Sequence, residues 1–356
     1  MTTTAVGFSG SYPADDVTFL LKDLTGLMEE SSLEERERAM QGGGHYSERL
    51  PIEYEPTARY TELFHASLAA TAPRVALLTA VTAGRILATH GDEVVLVSLA
   101  RAGTPVGVLL RRYLASTHGL EPPHYSVSII RGRGLDENAI AFIRECHRGR
   151  PIQFVDGWSG KGAIQRELTA ACRRLGLDDR MAVLADPGEC TTIWGTRDDV
   201  LIPSACLNAT VSGLVSRTVL NHLIGPADFH GAKFYGHLAE VDVSNLFVDT
   251  VAARFTSMPA LGGPFAPADT APPSWAGWDA VRRIAALHGL DDLNLVKPGV
   301  GEATRVLLRR RPWKVLVRPD RIGELEHILV LADERHVAVE EFPDMTYSCC
   351  GLIAPL

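Results

Sequence analysis

Between residues 93 and 184 the chain alternates short apolar runs with segments of helical periodicity. Glu93–Leu99 (EVVLVSL) is nearly continuous in apolar residues, which suits a strand buried on both faces. Pro105–Ser116 reads as helix, Tyr125–Ile130 as strand, and Glu137–Glu145 as a helix that Asp136 is placed to cap. Ile152–Val155 is extended again. Ile164, Leu168, Cys172 and Leu175 then recur at helical spacing, and Met181–Leu184 is a further strand. Repeated β-α-β-α of this kind implies a parallel sheet with right-handed crossovers and helices on its faces.

The flanking segments are less regular. Val17–Leu21 is apolar, Glu29–Arg38 is charge-dense and predicted helical, and Gly42-Gly43-Gly44 is a break. Tyr60 to about His90 carries a helical pattern through Leu63, Phe64, Leu68, Val75, Leu78, Val81 and Ile86. Residues 258–274 are rich in Pro, Ala and Gly and read as a linker. The expected organisation is therefore a main domain over 1–257, the linker over 258–274, and a small α/β unit over 275–356. Helices are expected at Trp278–His288, Gly301–Arg310 and Ile322–Ala332, with strands at Leu295–Lys297, Lys314–Val317 and Val337–Glu340.

With 356 residues, 46% of them hydrophobic, the chain has enough material for this arrangement. A net charge of -8 argues against non-specific coating of nucleic acid. None of the six cysteines forms a C-x-x-C pair, and no four have zinc-site spacing, so a reduced cytoplasmic chain is expected. No secretory leader and no bilayer-spanning run are expected, hence no membrane partner.

Ligands of an open parallel sheet bind beyond the carboxyl ends of its strands. Three such ends carry suitable chemistry. Ala100-Arg101-Ala102-Gly103 follows a strand and opens a helix, so small residues admit backbone amides to an anion and Arg101 adds a fork of donors. Arg131-Gly132-Arg133-Gly134 makes a basic loop. In Asp156-Gly157-Trp158-Ser159-Gly160-Lys161-Gly162-Ala163 a carboxylate ends a strand and a Gly/Ser loop with Lys161 leads into a helix. The spacing differs from a Walker A loop, and the acid before the loop suits sugar hydroxyls or a metal-bound sugar.

Taken with Phe8–Tyr12 and Ile202–Asn208, these segments resemble the phosphoribosyltransferase superfamily, most closely a bacterial branch found with tellurite-resistance and stress genes and labelled StiP. The resemblance covers about residues 8–250 and implies a type I phosphoribosyltransferase-like parallel sheet flanked by helices. It implies transfer of phosphoribosyl from phosphoribosyl pyrophosphate with Mg²⁺ to a base-like acceptor, with Arg101, Arg131 and Arg133 on the leaving pyrophosphate. Ala100, Ala102 and Gly103 would hold that pyrophosphate, Asp156 would meet the ribose and the metal, and Ser159, Gly160, Lys161, Gly162 and Ala163 would cradle the 5-phosphate. Gly157 stands where the superfamily has a second acid. The acceptor candidates are Tyr12, His45, Asn208, His230, Lys233 and Tyr235. Members of the superfamily commonly pair, so a homodimer is among the expectations.

Residues 294–321 hold Lys297, Arg305, Arg309, Arg310, Arg311, Lys314, Arg318 and Arg321 against Glu302 and Asp320. Val296–Arg305 resembles the strand, Gly turn and helix of the L7Ae/Pelota-like RNA-binding fold, which implies RNA binding through Lys297, Arg305 and Arg309. Two other functions compete. One is a non-catalytic, RNA-linked regulator that senses a sugar diphosphate or a nucleotide. The other is a cysteine protease, as the StiP label itself states, with Cys206 or Cys190 paired with His222 or His230.

Overall fold

The computed structural model describes residues 10–32, 35, 43–257 and 271–354. Most of the linker expected at 258–274, and half of the helix expected at 29–38, lie outside the described residues. Within the latter, Glu30–Ser31 forms a two-residue strand paired with Leu50–Pro51.

The alternating region folds as its periodicity requires. A seven-stranded, mainly parallel sheet is built from β1 (Thr18–Phe19), β2 (Val95–Ala100), β3 (His124–Ile130), β4 (Gly134–Leu135), β5 (Ile152–Val155), β6 (Met181–Ala185) and β7 (Ile193–Thr196). The order is β1-β3-β2-β5-β6-β7, all parallel, with β4 folded back antiparallel on β3. Helices α1 (Ala58–His90), α2 (Thr104–His118), α3 (Glu137–Cys146), α4 (Ala163–Leu175) and α5 (Ser244–Ala252) cover it. Side chains along a strand point to opposite faces in turn. Accordingly Val95, Val97 and Leu99 pack with Phe154, Leu168 and Ile140 under α3 and α4, while Leu96 packs with Val108, Phe64 and Val248 under α1, α2 and α5. Asp136 caps α3, its carboxylate accepting the Ala139 N–H at 3.1 Å.

Strand order reverses between β2 and β5, the strands that precede the two loops singled out for anion binding. This is the topological switch point, where the loops beyond the strand ends separate and leave a crevice. Gly103 lets them start close together, since a Cβ there would lie 2.3 Å from the Val155 carbonyl oxygen.

The C-terminal unit is a four-stranded sheet in the order β8-β11-β9-β10, from β8 (Val296–Pro298), β9 (Pro312–Val317), β10 (Ala338–Glu341) and β11 (Cys349–Ile353). Helix α6 (Ala276–Leu287) covers one face through Val281 and Ile284 against Leu316 and Cys350. Helices α7 (Val300–Arg309) and α8 (Glu326–Glu334) cover the other. The helix expected over 322–332 is interrupted, with a 3-10 turn at Pro319–Glu324 preceding α8. The face under α7 and α8 shares one continuous apolar core with the main domain, through Ala303, Leu307, Val315 and Ile328.

One stretch of α1 is apolar enough by length and composition to cross a bilayer, contrary to the expectation that no such run exists. It serves as a core helix, with Phe64, Ala72, Val75, Ala76 and Ala83 fully buried against the sheet.

Polar contacts fix the seating of the C-terminal unit. The buried Asp199 carboxylate accepts the first N–H of α7, from Val300, at 3.0 Å, and the Ser348 N–H at 2.9 Å. It therefore caps a helix of the other unit. Tyr60 donates to the Leu308 carbonyl, and Arg59 pairs with Glu334 at 2.7 Å. Replacing Asp199 with Ala leaves buried backbone donors without an acceptor and is expected to cost about 2 kcal/mol or more. Equilibrium urea unfolding checks this, and an unchanged midpoint and slope would show that the cap contributes nothing.

Candidate functional site

The crevice at the switch point is a cavity of about 550 Å³, and both units line it. From the main sheet come Arg101 and Ala102 after β2, Arg131 after β3, and Asp156 with Trp158–Gln165 after β5. From the C-terminal unit come Lys297 and Pro298 on β8, Glu302 and Arg305 on α7, and Arg310 beyond it. The residues adjoining β5 and β6 fix the loop. Asp156 donates its N–H to Ala182 O at 3.0 Å, and Ser159 its own to Ala185 O at 2.9 Å. The Ser159 hydroxyl donates to the buried Asp186 carboxylate, which also holds Arg197 and accepts the Cys190 N–H at 2.9 Å. Gly162 turns the chain into α4 with φ of 74°, in the left-handed region where glycine has no Cβ penalty.

The C-terminal unit holds the far side of the same loop. Tyr347 donates its hydroxyl to Gly160 O at 3.1 Å, and Lys161 donates Nζ to Leu293 O at 2.6 Å. Arg305 donates Nε to Ala205 O at 3.1 Å and NH1 to Glu302 at 3.1 Å, with its guanidinium 5.0 Å from the Trp158 ring centroid. Arg166 lies 4.2 Å from the centroid of Trp278 at the start of α6.

The electrostatics follow from burial in a cationic crevice. Burial pushes the Asp156 carboxyl up to about 7, against the opposing pull of the Gly157 N–H and Arg305. Burial pulls the Lys161 ammonium down to about 8, and Lys297 and Arg131 push it the same way. Burial also lowers Lys297. Six cations, Arg101, Arg131, Lys161, Lys297, Arg305 and Arg310, line the cavity against the carboxyls Asp156 and Glu302. Such a site favours a ligand that brings negative charge. Among the described residues no group of three or more His, Cys, Asp or Glu is placed to hold a metal ion.

The sequence-derived residues divide sharply. Asp156, Arg101, Arg131, Ala102 and Ser159–Ala163 meet at the cavity, as do Asn208, Lys297 and Arg305. Ala100 and Gly103 shape the turn without lining it, and Arg133 pairs with Glu48 at 2.7 Å instead. The remaining acceptor candidates are engaged elsewhere. Tyr12 donates to Val211 O at 3.2 Å, His45 Nδ1 lies 2.8 Å from Ser47 Oγ, and Lys233 pairs with Glu30 at 2.9 Å. His230 is buried, with Nδ1 2.8 Å from Ser128 Oγ, and Tyr235 is buried in a small apolar cluster with Leu214 and Leu238. The Arg309 side chain lies outside the described residues. Trp158, Glu302 and Arg310 were not singled out by the sequence. Trp158 at least sits inside the loop, whereas the other two reach the site only through docking of the units.

All six cysteines are free thiols, and Cys146 alone is exposed. Cys190 lies directly behind the loop, its Sγ 3.3 Å from Gly188 O and 3.8 Å from Gly160 O. Burial, with Asp186 beside it, pushes this thiol up to about 12. Cys206 is buried, its Sγ 4.0 Å from Ser67 Oγ, while His222 is exposed.

An α/β chain with a switch-point cleft closed by a second small domain is the class these features define. Residues 10–252 match the family described as "Tellurite-like stress resistance cysteine protease StiP", and the chain belongs to that family. Residues 275–355 match the PELOTA RNA binding domain. The chain is similar to a protein of Acinetobacter baylyi named "Cysteine protease StiP", 37% identical over 330 residues that cover 88% of this chain and 85% of the relative. These matches overturn the expected phosphoribosyl transfer and the classification as a pentosyltransferase, because family and relative alike carry a protease name. They give no support to the phosphoribosyltransferase superfamily or to phosphoribosyl pyrophosphate and a base as partners. The α/β architecture with its mainly parallel sheet stands.

Gly162 offers a direct check on the loop. A Cβ there would lie 2.2 Å from the Trp275 ring and 2.8 Å from Cys190 Sγ, on a backbone already at positive φ. Gly162→Ala is expected to cost about 2 kcal/mol or more and to shift the tryptophan fluorescence. Unaltered emission and melting temperature would mean that the loop is not held as described.

Proposed function

We propose that this chain is a hydrolase of the cysteine-protease kind named in its family, and that it recognises its substrate or effector as an anion in the cleft between the two units. Family membership supports the reaction class. The convergence of six cations on a cavity with two carboxyls supports the ligand class, and it is the observation on which the reading rests.

Cys190 is the cysteine that best combines with this cleft. Its sulfur adjoins Gly160, on the loop that lines the cavity. A thiol held at about 12 is protonated at neutral pH, and the thiolate is the nucleophile. Attack on a peptide carbonyl therefore requires the 156–162 loop to lift from Cys190 and a base to take the thiol proton. The thiolate then forms an acyl-thioester as the amine leaves with a proton, and water releases the acid. Asp156, lining the cleft with its carboxyl at about 7, is a group in this cavity suited to exchange a proton near neutral pH.

Two measurements test this. Inorganic pyrophosphate is a compact anionic probe, and calorimetry is expected to show its affinity falling as pH rises between about 6 and 9. Over that range Asp156 gains negative charge through about 7, and Lys161 loses positive charge through about 8. Asp156→Asn should remove the lower step, and a failure to bind the probe at any pH would dismiss the cleft as an anion site. For the reaction class, hydrolysis of an unstructured protein substrate is compared in Cys190→Ala and Cys206→Ala. Loss in the first alone assigns the nucleophile to Cys190. Full activity in both removes these two cysteines from catalysis.

A further inference from the structure

We propose that the C-terminal unit is the ligand-responsive half of the cleft: Lys297, with Arg305 beside it, binds the same anion as the 156–163 loop, so that anion binding and docking of this unit reinforce each other. The inference rests on the anion-site reading above and adds to it a second group of binding residues and a linkage.

Two of the three residues that suggested RNA binding in the sequence are turned inward. Lys297 and Arg305 line the cavity shared with the main sheet. The first N–H of α7 is taken by Asp199, and a Cβ at Gly301 would lie 3.2 Å from Ala205 and 3.4 Å from the Trp158 ring. The face that bears Lys297 and the start of α7 is thus occupied by the protein's own main domain.

That seating brings like charges together. Lys297 on β8 pushes the Lys161 ammonium of the loop down across the boundary, both lining the same cavity, and Arg131 lowers both lysines. Arg310 adds a further cation to the Lys297 side. Glu302 offsets part of this charge, but it is already shared with Arg305 at 3.1 Å. The Asp199 cap, the Tyr347 hydroxyl on Gly160 and the continuous apolar core hold the units together against the repulsion. An anion between Lys161 and Lys297 removes the repulsion and turns it into attraction on both sides. Any ligand that binds the docked state better than the open one must favour docking by the same factor.

The test uses the full chain and inorganic pyrophosphate. Calorimetry compares wild type, Lys161→Ala, Lys297→Ala and Lys297→Met, the last keeping the apolar stem so that loss of charge is separated from loss of packing. Hydrogen exchange across residues 296–305 is followed with and without the probe. Both Lys297 variants are expected to bind at least about tenfold more weakly, and the probe should slow exchange over 296–305 in wild type but not in Lys297→Met. If Lys161→Ala loses binding while both Lys297 variants stay within about twofold of wild type, the anion belongs to the main sheet alone and this inference fails, with the anion-site reading intact. Unchanged exchange over 296–305 despite tight binding overturns the linkage. No binding to wild type overturns both.

Discussion

The cleft exists because the C-terminal unit is held against the main domain, and one buried carboxylate makes the polar part of that seating possible. Asp199 lies in the main domain, yet its oxygens serve the first N–H of α7 and the Ser348 N–H of the C-terminal unit. A helix start is a cluster of donors without intrahelical acceptors, and burying one without a partner is costly. Asp199 makes that burial tolerable, and it fixes α7 in one position. With α7 fixed, Arg305 reaches Trp158 and Ala205, Lys297 faces Lys161, and Tyr347 meets Gly160. The open mouth of a parallel sheet becomes an enclosed site by this route.

Local pattern made the sheet and the loop legible in the sequence. Near-continuous apolar runs and 3.6-residue spacing are written within a few residues of each other, and the loop at 156–163 combines strand end, glycines and a lysine in one segment. What arises from packing between distant segments was not legible. Asp199 follows Arg197 and Asp198 in a charged run that resembles any solvated turn, and nothing near it announces a partner 101 residues away. Glu302 lies on α7 and Arg310 just beyond its end, and their neighbours in space are set by docking. The segment that holds the acceptor candidates His230, Lys233 and Tyr235 misled for the converse reason. Its chemistry is concentrated along the chain, but Asp228 turns to Lys22, His230 to Ser128, Lys233 to Glu30 and Tyr235 to an apolar cluster. Proximity in sequence was not convergence in space.

The phosphoribosyltransferase resemblance pointed to segments that line one cavity and to a reaction that the family match overturns. A strand end, an anion-favouring turn and a nearby acid describe where a ligand sits. They do not describe which bond is broken, and one scaffold carries many chemistries. The reaction class comes instead from the StiP family match and the named relative. The Cys190 thiol is packed against the loop and its pKa is pushed up to about 12, so the proposed chemistry requires another arrangement of the 156–162 loop than the one seen.

Helix α1 carries a consequence for how the protein is made. Its 33 residues are complete by His90, but its packing partners, β6, β7, α2, α5 and the turn at Pro203–Cys206, all come later in the chain. During synthesis a long apolar helix therefore emerges well before the surfaces that will shield it. At ordinary elongation rates of about 5–20 residues per second, the stretch from His90 to α5 takes roughly ten seconds or more to follow. Cover arrives in stages, α2 first and α5 last, so part of the helix's apolar surface has no native partner on the nascent chain until the main domain is nearly complete.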